Sequence, residues 1–353
     1  MTNNSIKLDS SFTLPTGTVI KNRLFKSAMS EQLGDKQHNP STGLANLYKR
    51  WAQGGLGLAM SGNIMIDRTA LGEPKNVVLD ERSNLNLFRQ WTKLGTENGT
   101  HLWAQLNHPG KQIPNFMTKE PVAPSAIALK RGLEKGFNKP RALEESEILD
   151  IIQKFATSAR LAKESGFTGV QIHGAHGYLV SQFLSPSHNQ RDDQWGGSLE
   201  NRMRFVREVY KAIRAEVGTD FPVGIKLNSA DFMKGGFSEE DSMQVIKQLS
   251  KDGIDLIEVS GGTYESPAMV GHRDKADQPK ASTVKREAYF LEYAESVRQH
   301  TDKPLVVTGG FRSSKGMVDA LNSGACDFVG LGRPFAVDPD LPNSAMKNPA
   351  YEI

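Results

Sequence analysis

The sequence is short of cysteine, with a single residue of this type, Cys326, among 353. One cysteine cannot form an intrachain disulfide, and it cannot supply the several thiolates that an iron–sulfur cluster needs. Scarce cysteine is typical of proteins from reducing compartments. Because Cys326 begins the apolar run Cys326-Asp-Phe-Val-Gly330, we predict a packed core thiol rather than a nucleophile.

Long apolar runs and a dominant charge are also missing. No stretch approaches the roughly 20 apolar residues of a membrane helix, and the polar start Met1-Thr-Asn-Asn-Ser5 predicts no signal peptide. The 43 basic and 40 acidic residues leave a net charge of +3, which gives no reason to expect nucleic acid or a membrane as partner. The composition favours a globular enzyme with a small-molecule substrate, and a cytoplasmic location is the default expectation.

What is present is a regular alternation of short apolar runs with helical patterns, from Asn22 almost to the end. The runs are nearly continuous in apolar or small residues, as expected for parallel strands covered on both faces. The eight predicted strands are Leu24–Met29, Leu56–Gly62, His101–Leu106, Thr168–Ile172, Pro222–Leu227, Ile254–Ser260, Pro304–Thr308 and Asp327–Leu331.

Apolar residues recur with helical period between the strands, as in the predicted helices Ser146–Ser165 and Ser198–Val217, and Ser238 begins another helix. Eight strand–helix alternations without a change in composition predict an α/β protein, with residues 1–353 in a single (β/α)8 TIM-barrel domain. A doubly wound open sheet is the alternative. It usually has a glycine-rich first turn, and the first turn here, Ser27-Ala-Met-Ser30, has no glycine.

Two connections are long, namely residues 107–143 after the third strand and residues 261–284 after the sixth. The second connection carries Met269, His272 and Arg273. Both leave the C-terminal end of a strand, so both overhang the end of the barrel at which such folds place their active sites. Each is either a lid over the site or a passive surface excursion.

Two imidazoles and a phenol lie within six residues in the segment His173-Gly-Ala-His176-Gly-Tyr178, directly after the fourth predicted strand. The imidazoles could hold an anionic or carbonyl oxygen while the phenol gives up a proton. Alternatively, the two histidines could join a carboxylate such as Glu31 in a zinc or iron site. The second, third and seventh strands end without an acidic residue, which speaks against a metal.

Glycines follow the last two strands, as Gly309-Gly310 and as Gly332 before Arg333. Glycine N–H groups can close around a phosphate, and barrels commonly bind phosphate at this place. The ligand is then a flavin mononucleotide, pyridoxal phosphate or a sugar phosphate. Gln105 and Lys226 are polar side chains of other strands. The lysine is a Schiff-base nucleophile, a structural ion pair or a cation beside a group that becomes anionic.

Together these segments resemble the Old Yellow Enzyme family of FMN-dependent oxidoreductases, over almost the whole chain from about Ile6 to Pro339. The order and spacing of many motifs carry the resemblance. They are Lys21-Asn-Arg-Leu24, Gln105-Leu-Asn-His-Pro-Gly110, Ala123-Pro-Ser125, Ile172-His-Gly-Ala-His-Gly-Tyr178, Gln182-Phe-Leu-Ser-Pro186, Asn189-Gln-Arg191 with Asp193, Trp195-Gly-Gly-Ser198, and Glu200-Asn-Arg202 with Arg204-Phe205. We assign Gly-Gly-Ser-Leu-Glu-Asn-Arg to the entry of a helix rather than to catalysis.

The resemblance implies a role for each matching residue. His173 and His176 would hold a carbonyl or nitro oxygen of the substrate, Tyr178 would give a proton to carbon, and Gln32 would contact the substrate. The residues implied to bind FMN are Ser27, Ala28, Met29 and Ser30 along one edge of the ring, Ser61, Gln105 and Lys226 on its pyrimidine side, and Gly309, Gly310, Gly332 and Arg333 at the phosphate.

The implied reaction is the reduction of an activated C=C bond in an α,β-unsaturated carbonyl or nitro compound. Flavin N5 would supply the hydride and Tyr178 the proton. We expect no iron–sulfur or second flavin domain of the dienoyl-CoA reductase branch, so that NADH or NADPH would reduce the flavin directly. Nitro or quinone reduction, oxidative demethylation and a non-catalytic flavin sensor or electron carrier are the alternatives. A homo-oligomer is compatible with the sequence.

Three positions depart from the family pattern. Lys226 stands where arginine is common, so the cation lacks the planar guanidinium fork. Ser30 stands where some members have a redox-tuning cysteine, and Gln32 stands where those members have a tyrosine that contacts the substrate. The flavin potential and the shape of the pocket are therefore expected to differ from those members.

Overall fold

Eight parallel strands close on themselves at the centre of the computed structural model, which describes residues 5–263, 265 and 290–353. Each strand is hydrogen-bonded to the next along the chain, and the last is bonded to the first. The predicted (β/α)8 barrel is confirmed. The strands are β1 Leu24–Lys26, β2 Leu58–Met65, β3 His101–Asn107, β4 Gly169–Gly174, β5 Val223–Asn228, β6 Leu256–Ser260, β7 Leu305–Thr308 and β8 Phe328–Leu331.

All eight predicted strands are found, with changed ends. β1 ends at Lys26 rather than Met29, so the turn that follows it is longer than predicted. β2 runs on to Met65 because its pairing with β3 shifts at a bulge between Met60 and Asn63. β4 extends to Gly174, so the prediction that both histidines follow the strand was wrong. His173 lies inside β4, where it pairs with Lys226 of β5.

Helices cover the outside of the barrel. The predicted helix starts at Ser198 and Ser238 are confirmed, because both side chains accept hydrogen bonds from the first helical turn. The helix predicted as Ser146–Ser165 begins and ends one residue earlier, and Gly253 ends its helix with a φ of 103°. The helices are α1 Thr42–Gln53, α2 Leu85–Gly95, α3 Glu145–Glu164, α4 Leu179–Leu184, α5 Leu199–Val217, α6 Glu239–Asp252, α7 at residues 290–298, α8 Ser314–Asn322, α9 Pro334–Val337 and α10 Leu341–Lys347. None of the described helices is long and apolar enough to cross a membrane.

The core has two parts, one between the strands and the helices and one inside the barrel. The inner part closes the N-terminal end of the barrel, and a hairpin of Phe12–Thr13 with Val19–Ile20 packs against it. Its buried members, which we call the apolar floor, are Leu14, Ile20, Phe25, Leu58, Met60, Trp103, Leu256, Val306 and Phe328.

Trp103 is the largest side chain of the apolar floor and fits only beside glycines. A Cβ atom on Gly169 would lie 2.4 Å from the indole, and one on Gly224 would lie 3.0 Å from it. Trp103 is completely buried. The two glycines in β4 and β5 therefore provide the space that the indole ring occupies.

The connection of residues 107–143 contains a short pairing of Val122–Ala123 with Arg141–Ala142 and one 3₁₀ turn, Leu133–Lys135. Of the second long connection, the structure describes only residues 261–263 and 265, so Met269, His272 and Arg273 lie outside the described residues. Cys326 is buried, and burial raises the pKa of its thiol to about 12. The predicted packed core thiol is confirmed.

Candidate active site

Polar side chains lie inside the barrel on the C-terminal side of the apolar floor. Successive residues of a strand point to opposite faces, so residues two apart along a strand share the inner face. On β3 the order is Trp103 then Gln105, and on β6 it is Leu256 then Glu258. The members of this polar layer are Ser27, Gln105, Gln171, Lys226, Glu258 and Thr308.

The polar layer is a single connected network. Gln105 Nε2 donates to Gln171 Oε1 at 2.7 Å, and Gln171 Nε2 donates to Glu258 Oε2 at 2.9 Å. Glu258 Oε1 lies 3.1 Å from Lys226 Nζ and accepts from the Thr308 hydroxyl at 2.7 Å. Lys226 is thus paired with a carboxylate, which was one of the three roles left open for it.

Two predicted flavin ligands join this layer through hydroxyl groups. The Ser27 and Thr308 oxygens are 2.8 Å apart. Ser61 is completely buried; its oxygen accepts from the backbone N–H of Gln105 at 2.8 Å and donates to the Gly62 carbonyl at 2.8 Å. The Ser61 hydroxyl therefore fastens the bulge of β2 to β3.

The turn after β1 reaches the outer end of the barrel. Ala28 and Met29 are half-buried, whereas Ser30 and Gln32 are exposed. The carboxylate of Glu73 accepts hydrogen bonds from the Ser30 hydroxyl and, at 3.2 Å, from Gln32 Nε2. Sequence analysis did not identify Glu73, because it comes from the separate loop after β2.

Glu31, in the same turn, points away from this end. Its Oε1 accepts from the Tyr48 hydroxyl at 2.8 Å and lies 3.3 Å from Nζ of the fully buried Lys26. Glu31, the carboxylate named for the metal alternative, thus forms an ion pair with Lys26. Within residues 5–263, 265 and 290–353, no three His, Cys, Asp or Glu side chains form a group that could hold a metal ion.

His173 and Tyr178 are buried together at the C-terminal end of β4. Their rings are 4.9 Å apart between centroids and meet edge to face. His173 Nδ1 accepts the N–H of Ala175 at 3.3 Å, which leaves the hydrogen of a neutral imidazole on Nε2. Burial, followed by the charge of Lys226, lowers the pKa of His173 well below its usual value. The ring is therefore a neutral hydrogen-bond donor at neutral pH.

His176 has a left-handed backbone conformation, with a φ of 61°, and makes three polar contacts. Its N–H donates to Asn228 Oδ1 at 3.2 Å, its carbonyl accepts from Gln112 Nε2 at 3.1 Å, and its Nε2 lies 2.8 Å from the Ser260 hydroxyl. The His173 and His176 rings are 5.2 Å apart. Burial and Lys226 also lower the pKa of His176, so both imidazoles are neutral.

Two of the glycines after β7 and β8, Gly309 and Gly332, have open space beside them among the described residues. Gly309 and Gly310 have φ values of 102° and 88°. Within the described part of the chain, a Cβ atom on Gly309 would meet nothing within 4 Å, and one on Gly332 would meet only Met29 Cγ, at 3.8 Å. Arg333 is exposed beside them. The backbone of Gly309 and Gly332 and the exposed guanidinium of Arg333 at one end fit the phosphate of FMN, and the polar layer inside the barrel fits its ring.

A further buried charged cluster lies beneath the long connections. Lys111 Nζ is 2.8 Å from His188 Nδ1 and donates to the Ile127 carbonyl at 2.9 Å. His188 Nε2 lies 3.2 Å from Glu265 Oε2, and Glu265 Oε1 accepts the N–H of Lys130 at 2.7 Å. The cluster joins the connection after β3 to the segment after β6, and sequence analysis did not identify it.

Comparisons with known proteins agree with this geometry. A family model described as the NADH:flavin oxidoreductase / NADH oxidase family matches residues 12–352. The NADH-dependent flavin oxidoreductase iliE of Hypocrea jecorina (strain QM6a) is 39% identical over 357 residues, which cover 95% of this chain and 88% of that protein.

Solved structures are also similar. A complex of 2-naphthoyl-CoA reductase with 2-naphthoyl-CoA has a TM-score of 0.87 at 26% identity, over 97% of this chain and 52% of that chain. An Old Yellow Enzyme homologue from Zymomonas mobilis has a TM-score of 0.81 at 26% identity, over 98% of this chain and 94% of that chain. The similarity to the second structure thus extends over nearly the full length of both chains.

Proposed function

The chain belongs to the NADH:flavin oxidoreductase / NADH oxidase family, and on that premise we propose that it reduces activated C=C bonds of α,β-unsaturated carbonyl or nitro compounds. It is an oxidoreductase that uses FMN and a reduced nicotinamide nucleotide. Bound FMN would supply the hydride chemistry, the transfer of hydride from the nicotinamide to the β-carbon of the alkene. The remaining steps are assigned to residues of this chain.

The observation that carries the proposal is the cluster of His173, His176 and Tyr178 at the end of β4. Both imidazoles are neutral, so each can donate a hydrogen bond to a substrate oxygen without adding a full positive charge. Donors aimed at an oxygen that becomes negative lower the barrier to hydride addition at the β-carbon. Two contacts fix the His176 backbone, and the Ser260 hydroxyl contacts Nε2 of its ring, so the ring is oriented before the substrate arrives.

In this proposal Tyr178 supplies the proton to the α-carbon. Its ring packs against His173, so the phenol lies beside the group that holds the substrate oxygen. A positioned proton donor typically contributes a factor of about 10² to 10⁴ to the rate. Lys226 and Gln105 of the polar layer would face the pyrimidine side of the flavin, and Gly309 and Arg333 its phosphate.

Rapid mixing of the FMN-loaded protein tests the proposal in two half-reactions. Reduction of the flavin by NADH or NADPH is measured first, and reoxidation by 2-cyclohexenone without oxygen is measured second. For Tyr178→Phe we expect reoxidation to slow by about 100-fold or more, with flavin reduction changed less than threefold. Equal slowing of both half-reactions would refute the role of Tyr178.

Tyr210→Phe is the matched control. Tyr210 is also buried, but it lies on α5 and its hydroxyl contacts Arg214, on the outside of the barrel. We expect this variant to keep both half-reactions. If the wild-type protein turns over none of a panel of enones, nitroalkenes and maleimides, the proposed reaction is wrong.

A further inference from the structure

We propose that Glu258 is a positioning residue that holds Lys226 and cancels its charge beneath the flavin, and thereby keeps the reduction potential of bound FMN low. The inference rests on the proposed function, because it needs FMN to lie over the polar layer. It concerns a residue of β6 to which no role was assigned from the sequence.

The position of Glu258 is dictated by the barrel. It pairs in register with Lys226 of β5 and Val306 of β7, so all three side chains share the inner face. Val306 belongs to the apolar floor, so the cation that pairs in register with Glu258 is Lys226. Glu258 is 0% exposed and the Lys226 side chain is 5% exposed, so water screens neither charge.

Burial explains why the two charges occur together. An isolated ammonium or carboxylate is costly to bury, whereas a close pair with further hydrogen bonds is tolerated. Glu258 has these bonds, since Oε1 contacts Lys226 and Thr308 and Oε2 contacts Gln171. The next buried pair, Lys26 with Glu31, is also neutral overall.

The carboxylate also sets the direction of the hydrogen-bond chain. A carboxylate only accepts, so Gln171 must present its Nε2 to Glu258. Its Oε1 then accepts from Gln105 Nε2, which leaves the carbonyl oxygen of Gln105 outside this bond. Glu258 thus fixes the orientation of the Gln105 amide, two hydrogen bonds away.

The consequence for the flavin follows from charge. Two-electron reduction of FMN places negative charge on the pyrimidine side of its ring. An unpaired lysine would stabilise this charge strongly in a site without water, and would raise the reduction potential. A lysine paired with a carboxylate stabilises it less, so the reduced cofactor remains the stronger hydride donor.

Glu258→Gln in the FMN-loaded protein tests the inference, because it removes the charge and keeps the size. The readouts are the midpoint potential, from equilibration with reference dyes, and the dissociation constants of oxidised and reduced FMN. We expect reduced FMN to gain about tenfold or more in affinity relative to oxidised FMN, which for a two-electron couple is a rise of about 30 mV. An unchanged or lowered potential would overturn the inference.

Asp255→Asn is the matched control. Asp255 is another buried carboxylate, paired with Arg214 at 2.6 Å, but it precedes β6 at the opposite end of the barrel. We expect it to reduce stability and to leave the potential unchanged. An equal rise in potential in both variants would show a general effect of lost stability, and would overturn the role of Glu258.

A double variant, Lys226→Met with Glu258→Gln, covers the case in which the single variant does not fold. Replacing both members of a buried ion pair is often neutral for stability. If the charges of Lys226 and Glu258 cancel at the flavin, the ratio of the dissociation constants of oxidised and reduced FMN in the double variant stays within about threefold of the wild-type ratio. A large fall in the potential would show that Lys226 acts uncompensated, against the inference. A wild-type protein that takes up no FMN would instead overturn the proposed function itself.

Discussion

Gly169→Ala is the sharpest test of how the floor of the site is built. A Cβ atom at this position would lie 2.4 Å from Trp103 Cε2, 2.6 Å from Nε1 and 2.7 Å from Cδ2. The φ of Gly169 is not positive, so alanine is compatible with the backbone at this position. The whole cost of the substitution therefore comes from packing.

The size of the effect follows from these distances. Carbon atoms in contact are normally about 3.5–4.0 Å apart, so the methyl group would overlap the indole by about 1 Å. The indole cannot move away freely, because Gly224 lies against its opposite edge. A Cβ atom on Gly224 would lie 3.0 Å from Trp103 Cζ3. Overpacking a closed core costs about 1–3 kcal/mol, and we expect the upper part of this range.

Urea unfolding of the protein without FMN measures this cost. Gly43→Ala is the matched control, because Gly43 is exposed in α1 and its Cβ atom would meet nothing nearer than Ser41 Oγ, at 3.6 Å. In a helix the change should stabilise the protein by about 0.5–1 kcal/mol. Combining Gly169→Ala with Trp103→Phe should recover much of the loss. A Gly169→Ala variant within about 0.5 kcal/mol of wild type would refute the packing argument.

Three further changes probe the rest of the site. Burial lowers the pKa of Lys111 to about 8, against 10.5 in the unfolded chain. Between these pH values the unfolded state binds more protons, so the free energy of unfolding rises with pH. Lys111→Met should remove up to about 3 kcal/mol of this rise in urea unfolding at several pH values, and an unchanged slope would contradict the assignment. Asn228→Ala removes a hydrogen bond to His176 and should raise the KM for an enone about tenfold with flavin reduction by NADPH unchanged; slower flavin reduction would point to a different role. Arg333→Gln should weaken FMN binding about tenfold but leave the binding of riboflavin, which has no phosphate, unaffected; equal losses for both ligands would place the arginine elsewhere.

The strands were predictable because a strand covered on both faces is a local run of apolar residues. The errors are at their ends. Two predicted strands began at Pro222 and Pro304, but proline has no N–H for the ladder, and the strands begin one residue later. The end of β2 was misplaced because a bulge shifts its register, and no local pattern indicates that shift.

The candidate site was predictable where its residues lie in short segments, as with His173 in β4, His176 just after it, and the glycines after β7. The polar layer was only partly predictable, because its contacts are distant in sequence. Gln105 and Gln171 are 66 positions apart, and Gln171 and Glu258 are 87 positions apart. A local signal did exist for Glu258. It is a charged residue in an apolar strand, and it lies two residues after Leu256, on the same inward-facing side of that strand.

The closure of the barrel also decides when the protein can finish folding. β1 pairs with β8, which joins residues about 300 positions apart, such as Phe25 and Gly330. On the ribosome, β1 therefore has one unpaired edge until nearly the whole chain has been synthesised. Ser27 and Gly332, which are proposed to contact FMN, follow β1 and β8, so the proposed pocket is incomplete until both strands have been synthesised. If FMN binds at the proposed site, it can bind fully only once β8 has joined β1, and a chain truncated before β8 would keep an unpaired strand edge.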